Sequence, residues 1–242
     1  MSRPAFSKGI YADGSYRANN PGWHSTDSAW KADRIAAILT RNSVGFASCI
    51  EVGCGAGQVL ARLRELMPGR QFSGYDVSPD AAKFWPATPP TGVSYHLQDF
   101  AAADKSSDLL LLIDVFEHIE DYMGFLRKLA VRARWFVFHI PLDMHISGLL
   151  RDRQLHARRQ VGHLHYFSRG TALATLADTG YVVVDDEFTN LSHETTEGRR
   201  ALTNLANVAR SGLHAISPSL AAKLLGGYSL LALCRADGAQ FG

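Results

Sequence analysis

The chain has 242 residues, 46% of them hydrophobic, and a formal net charge of +2. That is enough apolar material for one large α/β domain, and the length does not demand a second core. So small a charge excludes a molecule built as a whole to bind polyanions, and no nucleic-acid partner is expected.

Cys49, Cys54 and Cys234 lack metal-ligand spacing and are expected to be small core residues in a reducing compartment, so no metal is expected. Met1 to Arg17 has no continuous apolar stretch of the kind a signal peptide needs. The longest apolar run, Leu109 to Ile113, falls far short of the roughly 20 residues of a membrane helix. The expectation is a cytoplasmic protein with no membrane partner.

Met1 to Gly22 carries Gly, Ser, Asn and Tyr without a period and reads as an arm or lid. From Asp27 to Thr40 the spacing of Ala32, Ile35, Ala36 and Leu39 predicts an amphipathic helix, with caps available from Ser25 to Ser28. Strands and helices then alternate. Strands are predicted at Ser48–Val52, Gln71–Tyr75, Val93–Leu97, Asp108–Ile113 and Trp135–Ile140, with helices at Gly57–Met67, Pro79–Phe84 and Tyr122–Val131. Short apolar strands separated by helices make a mostly parallel, doubly wound sheet covered on both faces. Beyond it come a basic segment, Ser147 to Gln160, a helix after Ser168 ending at Gly180, and a strand Tyr181–Asp185. A polar, partly helical stretch follows before the last strand, Tyr228–Cys234. The expected organisation is a single domain: arm and cap helix at 1–44, core at 45–188, a helical insertion at 189–227, and last strand and tail at 228–242.

Four signals for a ligand site fall where strands end. The first is Glu51-Val52-Gly53-Cys54-Gly55-Ala56-Gly57, running from a strand into a helix: glycines let the backbone turn and approach a ligand, and the helix start offers free N–H groups. Its register is G-x-G-x-G, with Gln58 where the dinucleotide fingerprint wants its last glycine, so no pyrophosphate cradle is specified. The second is Asp76-Val77 at the end of the next strand, where a carboxylate can accept from both hydroxyls of a ribose; the competing role is a helix cap before Pro79, which Ser78 could serve equally well. The third is Asp99-Phe100, an acid for an exocyclic amine and a ring for an adenine face. The fourth is Asp114-Val115-Phe116-Glu117-His118 after a very apolar strand, at the carboxyl edge where open α/β sheets bind ligands.

Together these residues resemble the class I S-adenosylmethionine-dependent methyltransferases, in the broad group containing the ubiquinone-biosynthesis O-methyltransferases, over roughly Ile50 to Asp185. The resemblance implies a Rossmann-like seven-stranded sheet with helices on both faces. It also implies S-adenosylmethionine as cofactor and S-adenosylhomocysteine as product. It places the glycine loop beside the methionine part, Asp76 on ribose, Asp99 and Phe100 about adenine, and Asp114 to His118 near the sulfonium. Gly162 to Ser168 resembles the family's H-x-x-x-F-S turn, and Trp23-His24 to Trp30-Lys31 resembles N-terminal caps of some members.

The acceptor is expected to be a small molecule or saccharide methylated on oxygen. N- or C-methylation of a small metabolite, or a non-catalytic cofactor-binding scaffold, are the alternatives. A nicotinamide oxidoreductase would need another glycine register, and base-amine methyltransferases carry an Asn/Asp-Pro-Pro-aromatic tetrapeptide that this chain lacks after its fourth strand. For a hydroxyl acceptor the candidate bases are His145, His118 and His24. His118 equally suits loop hydrogen bonding, and at least one of His163 and His165 suits a structural turn. His139 is expected in the core or beside the cofactor. Arg151, Arg153, Arg158 and Arg159 read as a solvated helix face more readily than as an anion site.

Overall fold

The computed structural model describes residues 25–190 and 212–238. The Met1 to Gly22 arm, His24 and most of the proposed insertion lie outside the described residues. Seven strands form one sheet: β1 Ser48–Val52, β2 Gln71–Asp76, β3 Val93–Leu97, β4 Ser107–Ile113, β5 Ala133–Pro141, β6 Tyr181–Thr189 and β7 Ser229–Ala236. Their order is β3-β2-β1-β4-β5-β7-β6. β1 to β5 pair in parallel, and β7 enters antiparallel between β5 and β6.

β4 shows why alternation could not be read from the sequence of this sheet. Leu109, Leu111 and Ile113 point to one face and Leu110 and Leu112 to the other, and both faces are covered, so every position from Leu109 to Ile113 is apolar. The first face packs on α1 (Ser25–Arg41), through Ala32, Ile35, Ile38 and Leu39, and on α2 (Gln58–Leu66), through Val59, Leu60 and Leu63. The second packs on α4 (Tyr122–Leu129), α7 (Arg169–Asp178) and α8 (Pro218–Leu225), through Leu126, Leu129, Leu176, Ala221 and Ala222. Fully removing a leucine side chain from water is worth about 1.5–3 kcal/mol, so this double row dominates the core. The three cysteines are free and buried, in keeping with the expected core role.

Three segments differ from the sequence reading. The helix at Pro79 is a single turn, α3 (Pro79–Ala82), and the basic segment folds as two short helices, α5 (Ile146–Leu149) and α6 (Arg153–Gln160). α6 buries no residue, which accords with a solvated basic face. β6 runs on past Asp185 to Thr189, after a register shift between Val183 and Asp185. Its acidic residues conceal the strand because they are matched from other elements: Arg41 Nε lies 2.7 Å from Asp185, and Arg169 grips Asp186 through two contacts of 2.7 Å. The helix after Ser168 starts as expected, with Ser168 and Thr171 forming a reciprocal capping box.

The strand order fixes where a ligand can sit. From β1 the chain winds outward to β2 and β3, then returns to place β4 on the other side of β1, so the loops leaving β1 and β4 diverge and open a crevice at the carboxyl edge.

Candidate active site

The glycine loop forms the floor of that crevice. Gly53, Gly55 and Gly57 all have positive φ, at 73°, 52° and 76°. At Gly53 a Cβ would stand 2.8 Å from Val115 Cγ2, and at Gly57 it would stand 2.3 Å from the Tyr95 ring, so both positions need glycine for backbone angle and for space. The loop is pinned from below: the N–H groups of Gly53 and Cys54 both donate to the Tyr75 carbonyl, at 2.8 and 3.0 Å. It is also pinned from the side, since Trp85 Nε1 donates to the Gly55 carbonyl at 2.9 Å and the Tyr95 hydroxyl to the Gly57 carbonyl at 3.0 Å. The Trp85 and Tyr95 rings stack with centroids 5.3 Å apart. Sequence reasoning missed this aromatic clamp because neither residue belongs to a strand-end motif.

Asp76 is part of the same unit. Its Oδ2 accepts from Gly55 N and its Oδ1 from Ser78 N, both at 2.8 Å. Burial pushes this carboxyl up, and the N–H groups of Ser78, Gly55 and Val77 pull it partly back. Ser78 holds the N-cap position of α3 without a side-chain cap bond, so Asp76 ties strand end to glycine loop and does not cap the helix in the ordinary way. Beside it Val77 is 62% exposed, an apolar surface at the crevice edge.

Glu51, at the end of β1, is buried, and its Oε2 has no hydrogen-bond partner among the described residues. Burial first, then the nearby Asp76, pushes its carboxyl well above the usual range, while Lys31 opposes them. A buried acceptor with no donor is unfavourable unless something supplies one.

Asp114 lies opposite, at the end of β4, in a left-handed conformation (φ 54°) uncommon for a non-glycine residue. Its carboxylate is held between two groups: Lys31 Nζ lies 2.8 Å from Oδ2 and His139 Nδ1 lies 2.6 Å from Oδ1. Lys31 also bridges Asp27 at 2.8 Å, and His139 Nε2 lies 3.0 Å from Thr189 Oγ1. Burial acts against ionisation of Asp114, but His139 and then Lys31 outweigh it and hold the carboxyl far below its ordinary range. The Lys31 ammonium is held above its own range, the two aspartates outweighing burial. Lys31 carried no site signal in the sequence beyond its place in the cap segment; His139 is both core and site-edge.

Other expected residues are redistributed. Asp99 is exposed and its side chain accepts from Ala101 N at 2.9 Å, capping the turn Phe100–Ala102. Phe100 corrects the sequence reading: it is 2% exposed and meets Tyr75 edge-on at 5.0 Å, so its ring belongs to the core and presents no face to an adenine. Phe116 is likewise fully buried, among Phe138, Phe167 and Tyr122, while Val115 packs toward Gly53. His145 also changes role. Its Nδ1 accepts from Gly148 N at 2.9 Å as the N-cap of α5, and its ring fills the space that a Cβ on Gly226 would need. That is a structural position and not one for a base. His118 lies at the β4 edge, next to Glu117 and His163. His165 Nε2 donates to the Ile119 carbonyl at 2.9 Å, the structural turn that was expected for one of this pair.

Residues 23–186 match the profile of a family described as a methyltransferase domain. No curated protein matches the sequence significantly. Among solved structures, the chain is similar to one from the complex between the Haloferax volcanii Trm112 methyltransferase activator and a putative methyltransferase (16% identity, TM-score 0.64, covering 98% of this chain and 100% of that one). It is similar to the plantazolicin methyltransferase in complex with SAH (16% identity, TM-score 0.58, 96% and 94%). The magnesium protoporphyrin IX methyltransferase of Synechocystis PCC 6803, with SAH bound, is a third (17% identity, TM-score 0.56, 86% and 83%). These likenesses are of fold. No helix among the described residues is long and apolar enough to cross a membrane.

Proposed function

This chain belongs to the methyltransferase-domain family, and from that premise we propose that it transfers the methyl group of S-adenosylmethionine to a small-molecule or saccharide-type acceptor, on oxygen. The observation that carries the reading is the buried Glu51 oxygen without a donor, set beside three left-handed glycines that keep side chains out of the crevice. An ammonium such as that of a bound methionine moiety supplies the missing donor and a compensating charge. The residues present therefore fit the cofactor.

When bound, the cofactor supplies a methyl already activated by its sulfonium. Asp76, fixed by two backbone N–H groups, keeps lone pairs for the ribose hydroxyls. Val77 and Asp99 flank the adenine, and the loop from Gly53 to Gly57 bounds the methionine part. Asp114, paired with the Lys31 ammonium and held by His139, offers a rigid wall at the reacting end without adding a free charge. Alignment of the acceptor is the main contribution asked of the protein, and a hydroxyl acceptor also has a proton to lose. Of the three histidines considered for that proton, His118 lies at this edge, His145 is engaged as a cap, and His24 is outside the described residues.

Calorimetry with S-adenosylmethionine and S-adenosylhomocysteine tests the first half: micromolar binding is expected, abolished in Asp76→Ala. Failure of well-folded protein to bind either ligand defeats the reading. Methyl-labelled cofactor with hydroxylated aromatics, sugars and nucleotide sugars tests the second half. Label found on nitrogen or carbon of an acceptor overturns the assignment to oxygen.

A further inference from the structure

A second place for a ligand lies at the edge of the sheet opposite the crevice, where β5 and β6 begin and β7 ends. Trp135 is the register partner of Arg235, and Arg235 of Val182, so one row crosses three strands on the face that packs on α1. One step inward on that face, Val137 and Leu233 are fully buried. At the row itself the cover ends, leaving Trp135 and Val182 half-buried and Arg235 exposed. With Arg134 and Asp237 beside them, these residues line a cavity of about 520 Å³. Small-molecule sites span about 300–1,000 Å³.

The two guanidiniums take no part in holding the fold. Arg41, Arg62, Arg132 and Arg169 each donate to a carboxylate or a carbonyl. Among the described residues, Arg134 and Arg235 form neither a hydrogen bond nor an ion pair. Arg134 lies over the Trp135 indole, its Cζ 6.0 Å from the ring centroid, at the outer limit of a cation–π contact. Asp237 is held at the rim by its backbone N–H, which donates to the Gly180 carbonyl at 2.9 Å.

We propose that Arg134, Trp135, Val182, Arg235 and Asp237 form a second ligand site, for an aromatic phosphate monoester of mononucleotide size. Trp135 and Val182 give a planar ring an apolar surface on which to stack. Two planar guanidinium forks match a phosphate bearing about −1.5 to −2 charges, whereas a single carboxylate would balance only one of them. Asp237, an acceptor when ionised, then takes a hydroxyl or ring amine of the ligand. Its charge also disfavours a longer phosphate chain. Trp135 and His139 stand four residues apart on β5, about 13 Å along the strand, so the ligand is separate from the cofactor crevice. The site therefore stands whether or not the methyl-transfer reading does.

Titration of the full chain with UMP, followed by calorimetry and tryptophan fluorescence, gives the test. One equivalent of UMP per chain is expected, with quenching as the base stacks on the indole. Arg134→Gln and Arg235→Gln should each weaken binding by about 10- to 100-fold, as for a lost hydrogen bond to a charged group. Both side chains are exposed, so the melting temperature of either variant should stay within about 2 °C of the parent. Trp135→Phe should remove most of the quenching while UMP still binds. No UMP binding by the parent overturns the proposal, as does an affinity left unchanged when both arginines are replaced, which would put the nucleotide elsewhere. Inorganic phosphate bound as tightly as UMP reduces the row to an anion patch and overturns the stacking role. Tighter binding of indole-3-acetate than of UMP overturns the choice of phosphate over carboxylate.

Discussion

Replacing Lys31 by methionine keeps the aliphatic stem of a side chain that is 11% exposed and removes only its ammonium. Asp114 is then left with the His139 contact alone. Breaking a buried pair by deleting one member costs about 3–5 kcal/mol. Because the Asp114 side chain is 27% exposed and keeps the 2.6 Å contact with His139, a cost at or below the bottom of that range applies, about 2–3 kcal/mol. For a chain of this size that corresponds to a melting temperature lower by roughly 5–10 °C.

The pH dependence follows from the direction of both shifts. Asp114 is held below its ordinary range, so its contribution is complete above the unfolded value of about 3.9 and fades as pH falls through the folded one. Lys31 is held above its range, so its contribution is complete below about 10.4 and is lost as pH rises through its folded value. Melting curves of parent and Lys31→Met should therefore differ by a constant amount across neutral pH and converge in acid. Adding Asp114→Asn to Lys31→Met should cost less than the sum of the two single changes. A Lys31→Met variant that melts within about 1 °C of the parent at neutral pH, or a gap that does not narrow in acid, refutes the reasoning.

Gly57→Ala places a methyl 2.3 Å from the Tyr95 ring at a left-handed φ, so a loss of about 2–3 kcal/mol is expected in urea unfolding; Tyr95→Ala in the same chain should return part of it. Glu51→Gln separates stability from binding. The Glu51 carboxyl is pushed up by burial, so in its ionised form it weakens the empty fold at any pH above about 4.3, increasingly so until pH passes its folded value. The glutamine variant should melt higher than the parent at pH 7 without ligand, yet bind S-adenosylmethionine at least about tenfold more weakly, as for a lost charge-assisted hydrogen bond. A lower melting temperature or unchanged affinity contradicts this account.

The sheet was legible because its strands are short, apolar and separated by helical periods, and the glycine loop because its register is local. Asp76 and Asp114 could be placed at the crevice for the same reason: each stands at the carboxyl end of a strand, where chain order and spatial position coincide. The rest depends on contacts between distant segments. Trp85 and Tyr95 reach the loop from 30 and 38 residues away, and neither distance has a sequence signature. Phe100 and Phe116 were assigned by adjacency to acidic residues, but in a turn neighbouring side chains diverge, and the apolar ones went to the core. His145 was placed near the site by chain position, and a helix cap decided its role. The length of β6 was hidden because its carboxylates find arginines on α1 and α7, a pairing that composition cannot reveal.

The two anchors of α1 also bear on how the chain comes to fold. Its ion pairs reach across 83 residues to Asp114 and across 144 to Asp185, while its own sequence precedes every described strand. A helix made early during synthesis must therefore wait, with its apolar stripe of Ala32, Ile35 and Leu39 uncovered, until β4 and then β6 have emerged. Contacts of such separation slow assembly and expose surface while it proceeds. This early helix is among the last elements to be seated, and the wall of the crevice that Lys31 completes forms only when nearly all of the sheet is in place.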